Sequence, residues 1–462
     1  MSLSTLHAEP SYRRSFLRTD ARSGRRTVLI PVLLAALWPI AALGQTDSQR
    51  ILELEQRLDQ SMRVIDALSA KVRELEARLP PAGSESKPPP SAGASSQPSP
   101  AASSQPSPAT PPVRMADDHD HGASRPAPTE SLLSAPGALR GFADVGAGYS
   151  DNSNANKGFT VGSLDLYLTP QLGERVRALA ELVFEVDENG ENSLDLERFQ
   201  LGYAFNDALM GWMGRFHAPL GYWNTAFHHG RFLQTSLLRP RFIEFEDRNG
   251  IVPMHIIGAW GTGMVRTESG RFTYDLFTGN NPSISDGQLN PNIAGTKSPG
   301  LSAGFNLGYR PIGLLDGLKF GVHGLSATVR DNLQPPNQTD LRILGAYAGL
   351  EGGKWEAISE YYYFHNNNVA TGGGPYNSWA AFGFLGYHFG PWIPYTRVER
   401  AVIDSADAYF AQLNNGHTYS RQALGLRYDL GANAALTLEV NHTREVPIPS
   451  YDEVLFQYSV QF

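Results

Sequence analysis

The sequence predicts an all-β transmembrane barrel of about 16 antiparallel strands, preceded by an α-helical coiled coil. Three observations carry this: an export leader, a long C-terminal body whose apolar and polar residues alternate with period two, and a final strand that ends on an aromatic residue. Composition agrees. The 462 residues include no Cys, 46 Gly, 22 Phe, 19 Tyr and 7 Trp, with a net charge of −8. Absence of Cys excludes disulfide scaffolds and thiolate metal or redox sites. The acidic balance argues against nucleic acid, which needs a basic face. Only one apolar run approaches the length of a spanning helix, so a helical membrane bundle is excluded.

Residues 1–44 read as a secretory signal peptide. The basic n-region ends in Arg25-Arg26, the apolar run covers Val28 to Leu43, and Ala42-Leu43-Gly44 supplies small residues for cleavage before Gln45. Residues 45–79 read as a coiled coil. Ile51, Leu58, Ile65, Val72 and Leu79 occupy positions a; Leu54, Ser61, Leu68 and Leu75 occupy positions d. The complementary pairs Arg50/Glu55 and Lys71/Glu76 favour parallel, in-register strands. Residues 80–138 contain 14 prolines and a repeated Ala-Ser-Ser-Gln-Pro-Ser-Pro-Ala, the composition of an extended, disordered linker.

The body, residues 139–462, holds all the aromatic residues except Tyr12, Phe16 and Trp38. In its last ten residues Val454, Phe456, Tyr458, Val460 and Phe462 are apolar, while Glu453, Gln457, Ser459 and Gln461 between them are polar. Alternate residues of a strand project to opposite faces. Rings on one face and amides on the other suit lipid outside and water inside. The same alternation predicts strands at 139–149, 159–169, 175–186, 194–205, 209–217, 256–266, 271–279, 300–310, 317–328, 340–351, 355–365, 377–389, 392–402, 419–430, 435–444 and 453–462. Short connections alternate with long polar ones, as in barrels with periplasmic turns and external loops.

One connection stands apart. Ala218 to His255, in the slot of the third external loop, is long enough to imply a task of its own. Its aromatics can wedge against a wall while its charges project into water. Tyr222, Trp223, His228, His229, Arg231, Arg239, Arg241, Glu244, Glu246, Asp247 and Arg248 are therefore the candidate constriction residues. On the wall, Arg175, Arg177, Arg198, Arg215, Arg266, Arg271, Arg310, Arg342, Arg397, Arg421 and Arg427 are assigned inward, met by Asp165, Glu181, Glu185, Asp275, Glu356, Glu360, Glu399 and Glu439. The balance is mixed with a slight cationic tilt, and charge rings of one sign set ion preference in pores.

A terminal aromatic preceded by alternating aromatics, here Phe456, Tyr458, Val460 and Phe462, resembles the assembly signal of bacterial outer-membrane barrels. The order of signal, coiled coil, Pro/Ser linker and barrel resembles trimeric porins with a periplasmic N-terminal coiled coil, including phosphate-selective porins O and P and dicarboxylate-channel porins. That resemblance implies a homotrimer in the outer membrane of a Gram-negative bacterium, delivered by the barrel assembly machinery and passing small hydrophilic or anionic solutes. The third loop of sixteen-stranded porins folds into the lumen. Only Lys157, Lys297, Lys319 and Lys354 are available in the body, which departs from the lysine-rich ladder of phosphate-selective relatives. No cofactor and no enzymatic activity are expected: no Ser/His/Asp arrangement at motif spacing and no nucleotide-binding sequence is present. A different reading makes the chain a metal-handling channel, with His119 and His121 of the linker and His217, His228, His229 and His255 as ligands for Zn²⁺, Ni²⁺ or Cu²⁺.

Overall fold

The structure is a computed structural model that describes residues 139–462 except 154, 156, 171, 187–189, 191, 207, 228, 229 and 314–316. The signal peptide, coiled coil and linker expected from the sequence, with His119 and His121, lie outside the described residues, as do His228 and His229.

The strands in chain order are β1 (Leu139–Ser150), β2 (Gly158–Leu168), β3 (Val176–Val186), β4 (Asn192–Asn206), β5 (Leu209–His217), β6 (His255–Thr267), β7 (Gly270–Gly279), β8 (Ser283–Ser285), β9 (Gln288–Asn290), β10 (Ser302–Pro311), β11 (Leu318–Asp331), β12 (Gln338–Gly352), β13 (Trp355–Asn368), β14 (Gly373–Tyr387), β15 (Trp392–Val402), β16 (Tyr419–Asp429), β17 (Ala434–Glu445) and β18 (Tyr451–Gln461). All but β8 and β9 form the barrel, giving sixteen staves, each antiparallel to its neighbours. β1 pairs with both β2 and β18, so the sheet is closed and has no edge. At the seam the Phe462 N–H donates to the Gly141 carbonyl at 2.9 Å, and the Gly141 N–H returns a bond to Phe462 at 2.8 Å. Phe456, Tyr458, Val460 and Phe462 stand on one face of the closing strand, turned outward.

Each predicted strand has its counterpart. The largest displacement is at the strand predicted from 377, which begins at Gly373. The hairpin β8–β9 was not predicted; it lies within the connection read as a polar loop and pairs in parallel with the end of β11.

Burial is inverted relative to a soluble protein. Arg397 and Glu439 are fully buried, whereas Leu424 is 67% and Met213 69% exposed. The exposed apolar residues occupy one register of each strand and most of the charged residues the other, as a lipid-facing wall around a polar interior requires. Aromatic pairs mark the outer wall at the end bearing the short turns: Tyr203–Phe205, Phe272–Tyr309, Trp355–Tyr387 and Trp392–Tyr428.

One irregularity positions function. Between β3 and β4, Glu181 faces Arg198 but Leu182 faces Leu196, so Glu197 is an extra residue, a β-bulge. Two consecutive charged residues are thereby both buried. The interruption is visible in the sequence as three steps between Leu196 and Phe199, both exposed, where alternation would give two.

Candidate functional site

The connection between β5 and β6 runs from Ala218 to Met254 and is built of short turns: a helical turn at Trp223–Ala226 and 3-10 turns at Arg231–Leu233, Arg241–Ile243 and Glu246–Arg248. Asn249 closes the last of them in the left-handed region (φ 64). Such a segment cannot satisfy its own backbone, and each buried unpaired donor costs about 1–3 kcal/mol. Its donors are met by carboxylates of the barrel wall.

Glu360 of β13 accepts the N–H groups of Tyr222 (3.1 Å) and Trp223 (2.5 Å). Glu439 of β17 accepts the Leu237 N–H at 3.0 Å, the Ser236 hydroxyl at 3.1 Å and the Tyr395 hydroxyl at 2.8 Å. Glu399 of β15 accepts the Arg241 N–H at 2.7 Å, and Glu356 accepts the Thr235 hydroxyl at 2.8 Å. Cations bind the segment's carbonyls in the same way. Arg427 donates to Phe232 (2.9 Å) and Gln234 (2.6 Å), and Arg397 donates to Leu238 and to the Ser236 hydroxyl. Lys319 and Glu351 pair at 2.6 Å and both bond the Tyr222 hydroxyl. Charge-assisted bonds of this kind are the strong ones.

The rings complete the attachment. Trp223 packs edge-on to Phe382 at 5.4 Å, and Phe242 packs on Tyr362 at 5.3 Å. Phe232 joins Phe142 and Ala435, on β1 and β17. The partners of this one segment thus belong to β1, β3, β10 and every stave from β11 to β17, always on the register opposite the exposed apolar residues. Tyr409 and Phe410 of the 403–418 connection and Ile284 and Leu289 of the β8–β9 hairpin join the same buried cluster.

Within the segment Arg239 is a brace. It donates to the Ile243 carbonyl (3.2 Å), the Phe227 carbonyl (3.3 Å) and Asn224 (3.1 Å), and lies over the Phe245 ring at 4.1 Å. Burial pushes its guanidinium down to about 10, so it remains charged near neutrality. The far end is held by Glu246, which accepts the N–H groups of Met254 (2.7 Å) and His255 (2.8 Å) and meets the His255 imidazole at 2.7 Å. Burial opposes the Glu246 charge, but the imidazole and these donors outweigh it and hold the carboxyl below its ordinary value. The other nitrogen of His255 lies 3.1 Å from Glu197, the bulge residue. Arg248 reaches Glu185 at 2.7 Å. Asp247 is exposed, and Arg231 and Glu244 are half-buried.

The wall arginines fall into separate groups. Arg397 and Arg427 hold the segment. Arg198 pairs with Glu181 at 2.5 Å over the Tyr167 ring, and Arg421 stands 3.6 Å from Glu453. Arg177 donates to the carbonyls of Gly173 and Val176 at its own strand entry. Arg266, Arg271 and Arg310 lie directly opposite one another across β6, β7 and β10.

Three assignments are corrected. Arg342 does not face the interior: it pairs with Ser326 and shares the outward register of Leu344, while Leu341 and Ile343 face inward. Here the usual contrast is reversed: the inner face carries Leu341 and Ile343, which join the buried cluster of the 218–254 segment, while Asp340 and Arg342 stand on the outer face. Alternation therefore pointed the wrong way there. Arg215 shares the register of the exposed Met213 and lies in the wall where β5 parts from β4, donating to the Leu196 carbonyl (2.8 Å) and Glu197 (2.9 Å). Arg175 precedes β3 and is exposed at a turn. Glu197 and Glu445, both central to these contacts, were not singled out from the sequence. Among the described residues no group of three or more His, Asp or Glu is placed to hold a metal ion; His255 is engaged by two carboxylates, and its ring centroid lies 4.9 Å from that of His217.

No model of a protein family matches the sequence, and no curated protein matches it. Solved structures do. The chain is similar to an anion-selective porin from Comamonas acidovorans at 14% identity and TM-score 0.52, covering 71% of this chain and 99% of that one. It also matches the outer membrane channel DcaP of Acinetobacter baumannii (11% identity, 71% and 98% covered, TM-score 0.47) and Salmonella typhi OmpF in complex with daunomycin (10% identity, 70% and 97% covered, TM-score 0.47). The fold is therefore the closed sixteen-stranded barrel of outer-membrane porins. At these identities the likeness is one of architecture.

Proposed function

We propose that the chain is a porin of a Gram-negative outer membrane that passes small hydrophilic solutes by passive diffusion, with a preference for anions. The observation that carries this reading is the inverted burial of a closed barrel, with charges inside and exposed apolar side chains around the whole circumference. The 218–254 segment, anchored to interior carboxylates and arginines on many staves, serves as the constriction: it narrows the lumen and leaves Arg231, Glu244, Asp247 and Arg248 as the charges a solute meets.

The anion preference rests on the arginine row. Arg266, Arg271 and Arg310, directly opposite one another on neighbouring staves, form a row of cations on one side of the interior. The Comamonas acidovorans porin, which shares this architecture, is anion-selective.

The remaining expectations belong to this proposal: a cleaved leader, a periplasmic coiled coil that trimerises the chain, assembly through the terminal strand, and no catalytic role. Planar-bilayer recording of refolded protein tests it. Stepwise conductance with a reversal potential favouring chloride over potassium supports it, and absence of conductance or cation preference overturns it.

A further inference from the structure

The outward face of the barrel carries charges that the pore does not use. On β15, β16 and β17, Arg400 lies directly opposite Ser420, and Ser420 directly opposite Arg444. All three have the register of the exposed residues Val398, Leu424 and Val440, so they stand on the outer wall, at the end that bears the 403–418 connection. Two strand spacings put the arginine backbones roughly 10 Å apart, within reach of one phosphate for two long side chains. Neither arginine makes an ion pair with a described residue.

Both guanidinium groups are nevertheless oriented. Arg400 lies 5.8 Å from the Trp379 ring centroid. Arg444 donates its Nε–H to His442 Nε2 at 3.2 Å, and His442 Nδ1 meets Asp452 at 2.6 Å. The nearby acid on the outer wall is therefore committed to the imidazole, while the terminal nitrogens of Arg444 bond no described residue. Toward the membrane centre the next outward rows are Gln422 with His442, then Leu424 (67% exposed) with Val440. Reading along the wall gives an apolar bed, a polar step and a two-pronged cationic clamp with a hydroxyl between the prongs.

We propose that Arg400, Ser420 and Arg444 bind the phosphate of an anionic lipid in the surrounding leaflet, with its acyl chains lying on Leu424, Val398 and Val440. Arg binds phosphate through two parallel bonds, and a basic residue near an anionic lipid surface contributes about 1 kcal/mol. A soluble anion would use the arginines and leave the apolar bed uncovered; a lipid uses both. The inference rests on the membrane placement of the barrel but not on conduction through it.

The test is native mass spectrometry of the mature protein in detergent, titrated with an acylated glucosamine disaccharide lipid carrying two phosphates, with its dephosphorylated counterpart, or with inorganic phosphate. The phosphorylated lipid should bind about tenfold more tightly than the dephosphorylated one. Arg400→Gln with Arg444→Gln should bring the two lipids to the same affinity. Arg400→Lys with Arg444→Lys, which keeps the charge and removes the fork, should lose part of the difference, and it serves if the Gln variant fails to give the heat-dependent gel shift of a folded barrel. Equal binding of both lipids by the unsubstituted protein, an undiminished difference in the Gln or Lys variant, or displacement of the lipid by millimolar inorganic phosphate each overturns the proposal. Bilayer conductance of the same preparations reads the pore separately and should be unchanged.

Discussion

Arg241 places both terminal nitrogens on the Glu445 carboxylate, at 2.7 and 2.9 Å, across 204 residues of sequence. Its own N–H is held by Glu399, and its guanidinium lies over the Tyr419 ring at 4.9 Å. One residue of the long connection is thus tied to β15, β16 and β17 together.

Breaking this pair should release the middle of the segment. Removing one partner of a buried ion pair leaves the other uncompensated, at about 3–5 kcal/mol. Glu445→Ala should therefore lower the thermal unfolding midpoint and add large current fluctuations to single-channel records. A steady trace at wild-type conductance would show that the segment is held without it.

Glu360 fixes the opposite end. Glu360→Ala strands the Tyr222 and Trp223 N–H groups, each at about 1–3 kcal/mol, while Tyr362 loses the 3.0 Å bond to the carboxylate. Urea unfolding should shift to lower concentration, with a change in mean conductance. Glu360→Gln, which keeps one acceptor oxygen, should fall between the two.

Arg271 is the position to which ion selectivity should be most sensitive, because it stands between Arg266 and Arg310. Arg271→Glu should move the reversal potential in a potassium chloride gradient toward potassium. Arg342→Glu, on the outer wall, should leave it in place.

The Glu246 carboxyl, held below its ordinary value near 4.5, sets a pH window. A depressed carboxyl contributes stability that is complete above its unfolded value and is lost as pH falls through the lower folded value. The part of the channel noise set by Glu246 should therefore be unchanged from about pH 7 to pH 5 and rise only below about pH 4.5. In Glu246→Gln the noise should be raised at every pH. A rise already between pH 7 and pH 5 in the unsubstituted protein would assign the transition to another group.

Much of the wall was legible because strand alternation is local. Whether Phe456 and Gln457 take opposite faces depends on one strand and its two environments, not on which strands lie across the ring. Alternation failed as a guide where that contrast disappears. At Leu341 and Ile343 the inner environment is itself apolar, so Arg342 was placed on the wrong face. At Glu197 an inserted residue shifted the phase, and its three-step interval was the available signal. The carboxylates Glu356, Glu360, Glu399 and Glu439 were placed on the correct face, and Glu399 and Glu439 do meet the wall arginine Arg397, but all four also accept bonds from the long connection, which no local pattern signals.

By itself the sequence determined that the chain forms a sixteen-stranded closed barrel, where its strands lie and which connection is exceptional, since period, length and turn composition are written in neighbouring residues. Only the tertiary structure decided which side chains hold that connection, which charges remain for a solute, and which arginines look outward. Those outcomes depend on partners as far apart as Arg241 and Glu445, which no local pattern brings together and which meet only after the ring has closed.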